Sequence, residues 1–280
     1  MHSETRPARH HRHAALPLLP ATPDRTGGRH ELGQNFLVDA DVVASIVRAI
    51  PGTPALPVLE LGAGDGALTA ALAGHGHPVT AVELDPRRAG ALRRRCPDVT
   101  VVCSDMLSVR TEAPHHVVSN VPFGITTALL RHLLAQDRWH TAVLLLQWEV
   151  ARKRTGVGGT TLLTAQWWPW VEFSLLRRVP ATAFRPVPNV DGGVIVLQRR
   201  GRPLVPPRER TAYQALVRQV FERGAVVAAV ERFVPRRTAH AWLAGRGLRP
   251  GILARDLGAA DWAALHALGR DGRRRPRARR

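Results

Sequence analysis

The sequence is poor in several residue types, and each scarcity limits what the protein can be. Its 280 residues include only two cysteines, Cys96 and Cys103, without ligand-spaced partners, which argues against a disulfide framework or a metal site. No apolar run reaches the roughly 18 residues that a membrane span needs. Lysine occurs once, at Lys153. We therefore expect a cytoplasmic protein that has neither a metal site nor a membrane segment.

Positive charge, by contrast, is abundant, and nearly all of it comes from arginine. Forty basic residues against 22 acidic residues give a formal net charge of +18. A GC-rich genome favours arginine over lysine, but it does not explain the excess of positive over negative charge. Such an excess favours a polyanionic partner, of which nucleic acid is the commonest.

The charge is concentrated at the two ends of the chain. Residues 1–30 hold five arginines against two acids, and residues 266–280 hold seven against one. We predict a disordered basic arm at 1–28 and a disordered Arg-rich tail at 269–280, where a polar composition cannot build a core. Residues 14–20 could pass for the apolar part of a signal peptide, but two prolines interrupt them, so the arm is preferred.

Between the ends, short apolar runs alternate with segments of helical periodicity. Strands that alternate with helices predict βαβ units and a mainly parallel sheet, that is, an α/β fold. Two later strands, at 171–178 and 193–198, are expected at one side of the sheet, where antiparallel pairing is accommodated. The first strands are predicted at 58–61, 79–82, 99–102, 117–119 and 142–146, and the helices at 39–50, 68–73, 87–94 and 127–134.

A proline-rich stretch at 201–207 divides the chain. After it, apolar residues recur at helical spacing. We therefore predict an α/β domain at 29–202 and a small helical domain at 203–268.

The loops after the predicted strands carry glycines and acids. Gly62 and Gly64 follow the first strand and would let the backbone approach a ligand without a Cβ in the way. Glu83 ends the second strand, and Asp105, followed by Met106, ends the third. Carboxylates at these positions can bind ribose hydroxyls and an adenine amine, because open α/β sheets bind ligands at the carboxyl ends of their strands. These residues predict a site for an adenosine-containing cofactor, either NAD or S-adenosylmethionine.

The fourth strand ends in Asn120-Val121-Pro122-Phe123, in a chain with only three asparagines. A side-chain carbonyl and a backbone carbonyl that converge here can accept both protons of an aromatic exocyclic amine. The two acceptors would draw the amine towards a tetrahedral arrangement and expose its lone pair for attack on a methyl sulfonium. Phe123 would offer a stacking face. The motif favours S-adenosylmethionine over NAD.

With these strand ends in place, the chain resembles the adenine-N6 rRNA methyltransferases, and within them the erythromycin-resistance (Erm) type. The match covers about residues 29–198, and Gly62, Glu83, Asp105 and the tetrapeptide fit the family's motifs. Residues 29–37 resemble the N-terminal cofactor motif, which implies cofactor contacts for Asn35 and Leu37, with Asn120 also at the cofactor.

Two later segments also carry the resemblance. Residues 184–192 resemble the family's target loop, which implies that Phe184 packs near a flipped adenine; Gly192 stands where the family often has serine. Residues 147–149, Gln-Trp-Glu, resemble another family motif, to which we assign a structural role.

The resemblance implies a Rossmann-like S-adenosylmethionine-dependent methyltransferase sheet at 29–202 and an RNA-binding role for the helical domain at 203–268. It implies N6 methylation of one adenine in the peptidyl-transferase loop of 23S rRNA, and so resistance to macrolides, lincosamides and streptogramin B. The expected substrate is RNA that is protein-free or in early assembly precursors, and the expected state is a monomer.

Three alternatives stay open at this point. A small-subunit (16S) rRNA adenine dimethyltransferase shares the fold and chemistry, although Phe123 in place of the usual tyrosine and the basic arms favour the Erm type. An inactive RNA-binding or transcription-factor relative is disfavoured by the intact Gly62, Glu83, Asp105 and Asn120. An NAD-dependent dehydrogenase would leave the fourth-strand motif unexplained.

Overall fold

A computed structural model describes residues 16–19, 35–52, 55–232 and 234–274. The strands are β1 (Phe36–Leu37), β2 (Val58–Leu61), β3 (Val79–Glu83), β4 (Thr100–Cys103), β5 (His115–Asn120), β6 (Trp139–Gln147), β7 (Val171–Val179), β8 (Phe184–Arg185) and β9 (Gly192–Arg199). The α-helices are α1 (Ala40–Arg48), α2 (Ala67–Gly74), α3 (Pro86–Arg95), α4 (Thr126–Leu134), α5 (Trp148–Arg154), α6 (Leu162–Trp167), α7 (Arg210–Arg223), α8 (Val226–Val230), α9 (Arg236–Gly245) and α10 (Ala259–Arg274).

The chain divides into two compact units. The first comprises residues 1–139 with 184–186, and the second comprises 140–183 with 187–280. This division differs from the predicted boundary between residues 202 and 203, because β6, β7 and β9 group with the helices that follow them. The predicted domains at 29–202 and 203–268 therefore stay a proposal about folding and function.

The first unit has four parallel strands in the order β4-β3-β2-β5. β2 is buried along its whole length, which is why it is apolar on both faces apart from Glu60 and shows no alternating pattern. The strands and helices that the alternating pattern predicts are present, and they confirm an α/β, Rossmann-like fold.

Helix α1 shows how closely local sequence sets a boundary. The Asp39 carboxylate accepts from the Val42 amide at 3.0 Å and so caps the helix. Val42, Ile46 and Val47 form its buried face, at the spacing of an amphipathic helix.

The second unit contains an antiparallel set of strands, in which β9 pairs with β6 and with β7. The predicted strands at 171–178 and 193–198 are thus confirmed. Helices α7 to α10 supply the predicted helical segment, whose core includes the fully buried Tyr213 and Trp262. Phe233, which falls within this predicted segment, lies outside the described residues.

Four residues of the predicted disordered arm, Leu16 to Leu19, make defined contacts, whereas the boundary at 28 lies outside the described residues. Leu16 is only 6 % exposed, and Leu18 forms an antiparallel bridge with Thr111. The Leu19 amide also donates to the Arg110 carbonyl at 2.8 Å. Leu16 is buried within the first unit while Leu19 is 43% exposed, so burial of an apolar side chain and backbone pairing hold this short segment in place. The rest of the predicted arm lies outside the described residues.

The predicted tail also begins later than expected. Helix α10 continues to Arg274, so residues 269–274 are helical and the expectation of disorder from 269 is wrong for them. Residues 275–280 lie outside the part of the chain that the structure describes. Helices α5 and α6 and the short strands β1 and β8 were not predicted; a strand of two residues, such as β1 or β8, has no period by which it could be recognised.

Candidate active site

The glycine loop after β2 adopts a backbone that favours glycine. Gly62 and Gly64 have φ angles of 75° and 55°, in the left-handed region that L side chains rarely adopt. A Cβ at Gly62 would lie 2.6 Å from Met106 Cε, and a Cβ at Gly64 would lie 3.2 Å from the ring of Phe36. Two side chains from other segments therefore lie close over the loop, and a side chain at position 62 would need both a left-handed backbone and a shift of the Met106 side chain.

Glu83 ties this loop to the end of β3. Its Oε2 accepts from the Gly64 amide at 2.7 Å, and its Oε1 accepts from the Asp85 amide at 2.9 Å. The side chain is buried at 5 % exposure. A carboxylate offers about four lone-pair sites, so two backbone donors fix its orientation and leave acceptor capacity for hydroxyl groups.

Asp105 and Met106 follow β4, which lies beside β3. The Leu107 amide donates to Oδ1 of Asp105 at 2.9 Å, and the Ser108 amide donates to the Asp105 carbonyl at 3.0 Å. The turn thus holds one carboxylate oxygen in place. Both residues are half-buried, which leaves them accessible at the carboxyl edge of the sheet.

Asn120 has its amide oriented by the N-terminal motif. Nδ2 donates to the backbone carbonyl of Asn35 at 2.9 Å. Because that carbonyl can only accept, the amide nitrogen must face Asn35, and Oδ1 must point away from it as an acceptor. The neighbouring Ser119 hydroxyl donates to the Leu61 carbonyl at 2.7 Å and joins β5 to β2. Two predicted cofactor residues, 85 positions apart, are therefore in direct contact.

The other three residues of the tetrapeptide differ in how far they are buried. Val121 is buried at 1 % exposure, whereas Pro122 and Phe123 are half-buried. A 3₁₀ helix begins at Phe123, and the Ile125 amide donates to the Pro122 carbonyl at 3.1 Å. The carbonyl of Pro122 is thus already engaged, and Phe123 retains accessible ring surface.

The two short strands bring the N-terminal motif and the target-loop motif together. β1 pairs antiparallel with β8, with Leu37 opposite Phe184. Phe184 is fully buried and Leu37 is 3 % exposed. In this conformation the ring of Phe184 therefore has no exposed face, because the residue is buried in β8 beside β1. Its packing near a flipped adenine stays a prediction.

Two contacts at the site were missed by sequence reasoning. The Arg88 guanidinium carbon lies 4.6 Å from the centre of the Phe36 ring, a cation–π contact, and Arg88 also pairs with Asp65 at 3.7 Å. Glu60 in β2 accepts from the Thr69 hydroxyl at 2.5 Å, and burial raises the pKa of Glu60 to about 8. Neither contact had a signal in the sequence: Arg88 and Phe36 lie far apart along the chain, and a glutamate within an apolar run indicates no particular partner.

These residues fit S-adenosylmethionine. A glycine loop with little side-chain bulk lies at the end of β2, carboxylates lie at the ends of β3 and β4, and an amide acceptor lies at the end of β5. Ligands of open α/β sheets occupy that edge. The described part of the chain holds no group of three or more His, Cys, Asp or Glu side chains suited to a metal ion. Among the described residues, none of the helices has the length and apolar character of a membrane span.

Comparison with known proteins places this site in a family. The model for ribosomal RNA adenine dimethylase matches residues 25–266. The chain is 56% identical over 270 residues to the mycinamicin-resistance protein MyrB of Micromonospora griseorubida, covering 95% of this chain and 86% of that protein. It is 49% identical over 197 residues to an rRNA adenine N-6-methyltransferase of Corynebacterium diphtheriae, covering 69% and 78%.

The solved structure of the 23S rRNA methyltransferase ErmE matches 84% of this chain and 99% of its own, with a TM-score of 0.79 and 35% identity. A match of this extent, together with the family model over most of the chain, bears on activity as well as on fold. The chain belongs to the ribosomal RNA adenine dimethylase family, and it is an S-adenosylmethionine-dependent rRNA adenine-N6-methyltransferase of the Erm type.

Proposed function

We propose that this enzyme methylates N6 of one adenine in the peptidyl-transferase loop of 23S rRNA and so confers resistance to macrolides, lincosamides and streptogramin B. The observation that carries the chemistry is the orientation of Asn120 by the Asn35 carbonyl at 2.9 Å. The resistance role is supported by the 56% identity to a mycinamicin-resistance protein over nearly the whole chain.

Asn120 accepts one proton of the adenine amine through Oδ1. The second acceptor is the backbone carbonyl of Val121, because the carbonyl of Pro122 accepts from Ile125. An aromatic amine is a poor nucleophile while its lone pair is delocalised into the ring. Two acceptors placed before the reaction favour the tetrahedral nitrogen of the transition state, which is catalysis by position and electrostatics.

The target adenine must leave its stack to reach this site. Extrusion costs a few kcal/mol and least for an unpaired base, and stacking on an aromatic side chain returns about 1–3 kcal/mol. We assign that stacking to Phe123, whose ring is half-buried. Phe184 instead acts as a positioning residue, since it is fully buried opposite Leu37 and supports the strand that precedes α1.

The cofactor residues hold S-adenosylmethionine, which supplies the methyl group from its sulfonium when bound. Gly62 and Gly64 would let the backbone approach it, Glu83 would accept from ribose hydroxyls, and Asp105 would accept from its adenine amine with Met106 beside the ring. Asn35 and Leu37 would contact it from the N-terminal motif, and Asn120 would also contact it. No strong general base is needed, because a methylated ammonium loses its proton readily to water.

The substrate is 23S rRNA that is free of protein or in early assembly precursors, and the enzyme acts in the cytoplasm as a monomer. Single-stranded loops are the usual targets of sequence-specific RNA recognition. The net charge of +18 suits a substrate whose affinity depends on phosphate contacts.

The test is transfer of labelled methyl from S-adenosylmethionine to protein-free 23S rRNA and, separately, to 30S subunits. Label in 23S rRNA that maps to a peptidyl-transferase-loop adenine is the expected outcome. Label in 30S subunits alone would replace the proposal with the small-subunit dimethyltransferase, and the resistance role would then have no support.

A further inference from the structure

A cavity of about 350 Å³ lies in the second unit. Its lining includes Gln147, Trp148, Arg178, Asn189 and Asp191. None of the single residues that we assign to S-adenosylmethionine or to the target adenine lines it, although Asn189 and Asp191 belong to the segment 184–192 that resembles the family's target loop. The volume lies at the lower end of the roughly 300–1,000 Å³ that is usual for small-molecule sites.

One wall of the cavity is the indole of Trp148, which packs against strand β9. A Cβ at Gly193 would lie 3.1 Å from Trp148 Cε3 and 2.7 Å from Ala151 Cβ. Glycine at this position therefore lets the indole and the start of α5 pack directly against β9. The ring of Trp148 is held by the backbone of a strand, which gives it little freedom to move.

The Arg178 guanidinium covers the indole from another side. Its central carbon lies 5.0 Å from the Trp148 ring centre, and Nη2 pairs with Asp191 Oδ2 at 2.7 Å. The other oxygen, Oδ1 of Asp191, accepts from the Ala181 amide at 2.9 Å. A fixed carboxylate thus fixes the guanidinium, whose side chain is still 60% exposed.

This arrangement suits a flat, uncharged group better than a phosphate. Asp191 neutralises Arg178, and the exposed Glu149 at the same cavity repels an anion. A guanidinium plane backed by an indole stacks well on an aromatic ring. Gln147 and Asn189 offer amide donors and acceptors for the edge of such a ring, and RNA-binding proteins read unpaired bases by stacking and edge contacts of this kind.

We infer that this cavity receives an unpaired nucleobase of the rRNA substrate other than the target adenine, an inference that rests on the proposed function. The Gln147-Trp148-Glu149 segment then has a binding role in addition to its structural one. Binding of this second base would help the enzyme to select its RNA loop, because a loop that offers no unpaired base to the cavity would bind less tightly.

The experiment measures binding of hairpin RNAs that carry the target adenine and its flanking loop. Each unpaired position is replaced in turn by an abasic nucleotide, and dissociation constants are measured for the wild type, Arg178→Lys and Arg177→Lys. Arg178→Lys keeps the charge and removes the plane. Arg177→Lys is the matched control, since neighbouring residues of β7 point to opposite faces.

The expected result is one loop position, not the target adenine, at which an abasic nucleotide weakens wild-type binding by about fivefold, the lower end of the effect of losing one stacked base. Arg178→Lys should weaken binding of the intact hairpin by a similar factor and be insensitive at that position, while Arg177→Lys behaves as the wild type. Gln147→Leu leaves the Arg178–Trp148 stacking surface intact and removes one edge contact, so it should reduce the sensitivity at that same position, and it decides the case if Arg178→Lys does not fold.

Equal weakening of every RNA by Arg178→Lys would overturn the inference, since that pattern indicates a phosphate contact. The inference would also be overturned if Arg178→Lys changed the sensitivity to an abasic nucleotide only at the target adenine itself, or at no position. Binding does not require methyl transfer, so a wild type that binds the hairpin without methylating it would contradict the proposed function alone. A hairpin that the wild type does not bind would overturn both.

Discussion

The carboxyl ends of β2 to β5 and the helices α7 to α10 present their polar side chains in opposite ways. At the strand ends, Glu83 and Asn120 are oriented by backbone groups at 2.7 to 2.9 Å. Along these helices and the segments that connect them, arginines are exposed; they include Arg218, Arg223, Arg232, Arg236, Arg237 and Arg249. The first arrangement fixes single atoms, as chemistry requires, whereas the second distributes charge, as phosphate binding requires. Substitutions should therefore act on the rate in the first region and on affinity in the second.

The largest effect is expected from Asn120→Ala. Loss of Oδ1 removes one of two acceptors for the adenine amine, and removal of one such group typically lowers kcat by about 10²–10³-fold. S-adenosylmethionine affinity should stay within about a few fold, because Asn120 is only one of several contacts in the proposed cofactor site. Single-turnover methyl transfer and calorimetric titration of the cofactor measure the two effects. A variant that transfers methyl at nearly the wild-type rate would remove Asn120 from the mechanism.

Gly62→Ala should have the next largest effect, on cofactor binding. The new Cβ would lie 2.6 Å from Met106 Cε at a φ of 75°, so both the loop and Met106 must shift. We expect cofactor affinity to fall by about tenfold or more, with a loss of stability of about 1–3 kcal/mol from strain and overpacking. Gly74→Ala at the end of α2 is the matched control, since a Cβ there meets nothing within 4 Å. Equal cofactor affinity in the two variants would contradict the close approach at Gly62.

Features of the fold and of the site that depend on adjacent residues could be predicted from the sequence, whereas contacts between distant segments could not. Strand β2 and the cap of α1 follow from a few adjacent residues. The glycine loop, Glu83, Asp105 and Asn120 were placed at one edge because parallel strands share that edge. The contact between Asn120 and Asn35, the burial of Phe184 opposite Leu37, and the packing of residues 16–19 join segments that are distant in sequence. No local pattern encodes such contacts, and only the tertiary structure reveals them.

A smaller effect, on stability, is expected from Glu60→Gln in the region of fixed groups. Burial raises the pKa of Glu60 from 4.5 to about 8, so the folded state holds a proton that the unfolded state releases. The free energy of unfolding should therefore fall as the pH rises from about 5 to 8. In Glu60→Gln that decrease should be smaller, as urea unfolding at several pH values would measure. The Thr69 hydroxyl, which donates to Glu60 at 2.5 Å, can still donate to the glutamine carbonyl. An unchanged pH slope would show that Glu60 titrates normally.

The smallest change tests the region of distributed charge. Removal of residues 275–280 deletes four arginines and leaves α10, which ends at Arg274, intact. Each phosphate contact to single-stranded RNA contributes about 0.7 to the slope of log affinity against log salt concentration, so the slope should flatten by about 1 to 3 while kcat at saturating RNA is unchanged. Binding of the 23S hairpin between low and physiological salt measures this. Removal of 269–280 would also cut the helix, so a comparison of the two truncations separates charge from fold. If the shorter deletion leaves the salt dependence unchanged, the terminal arginines contribute nothing to RNA binding, and the exposed arginines of α7 to α9 must supply the affinity instead.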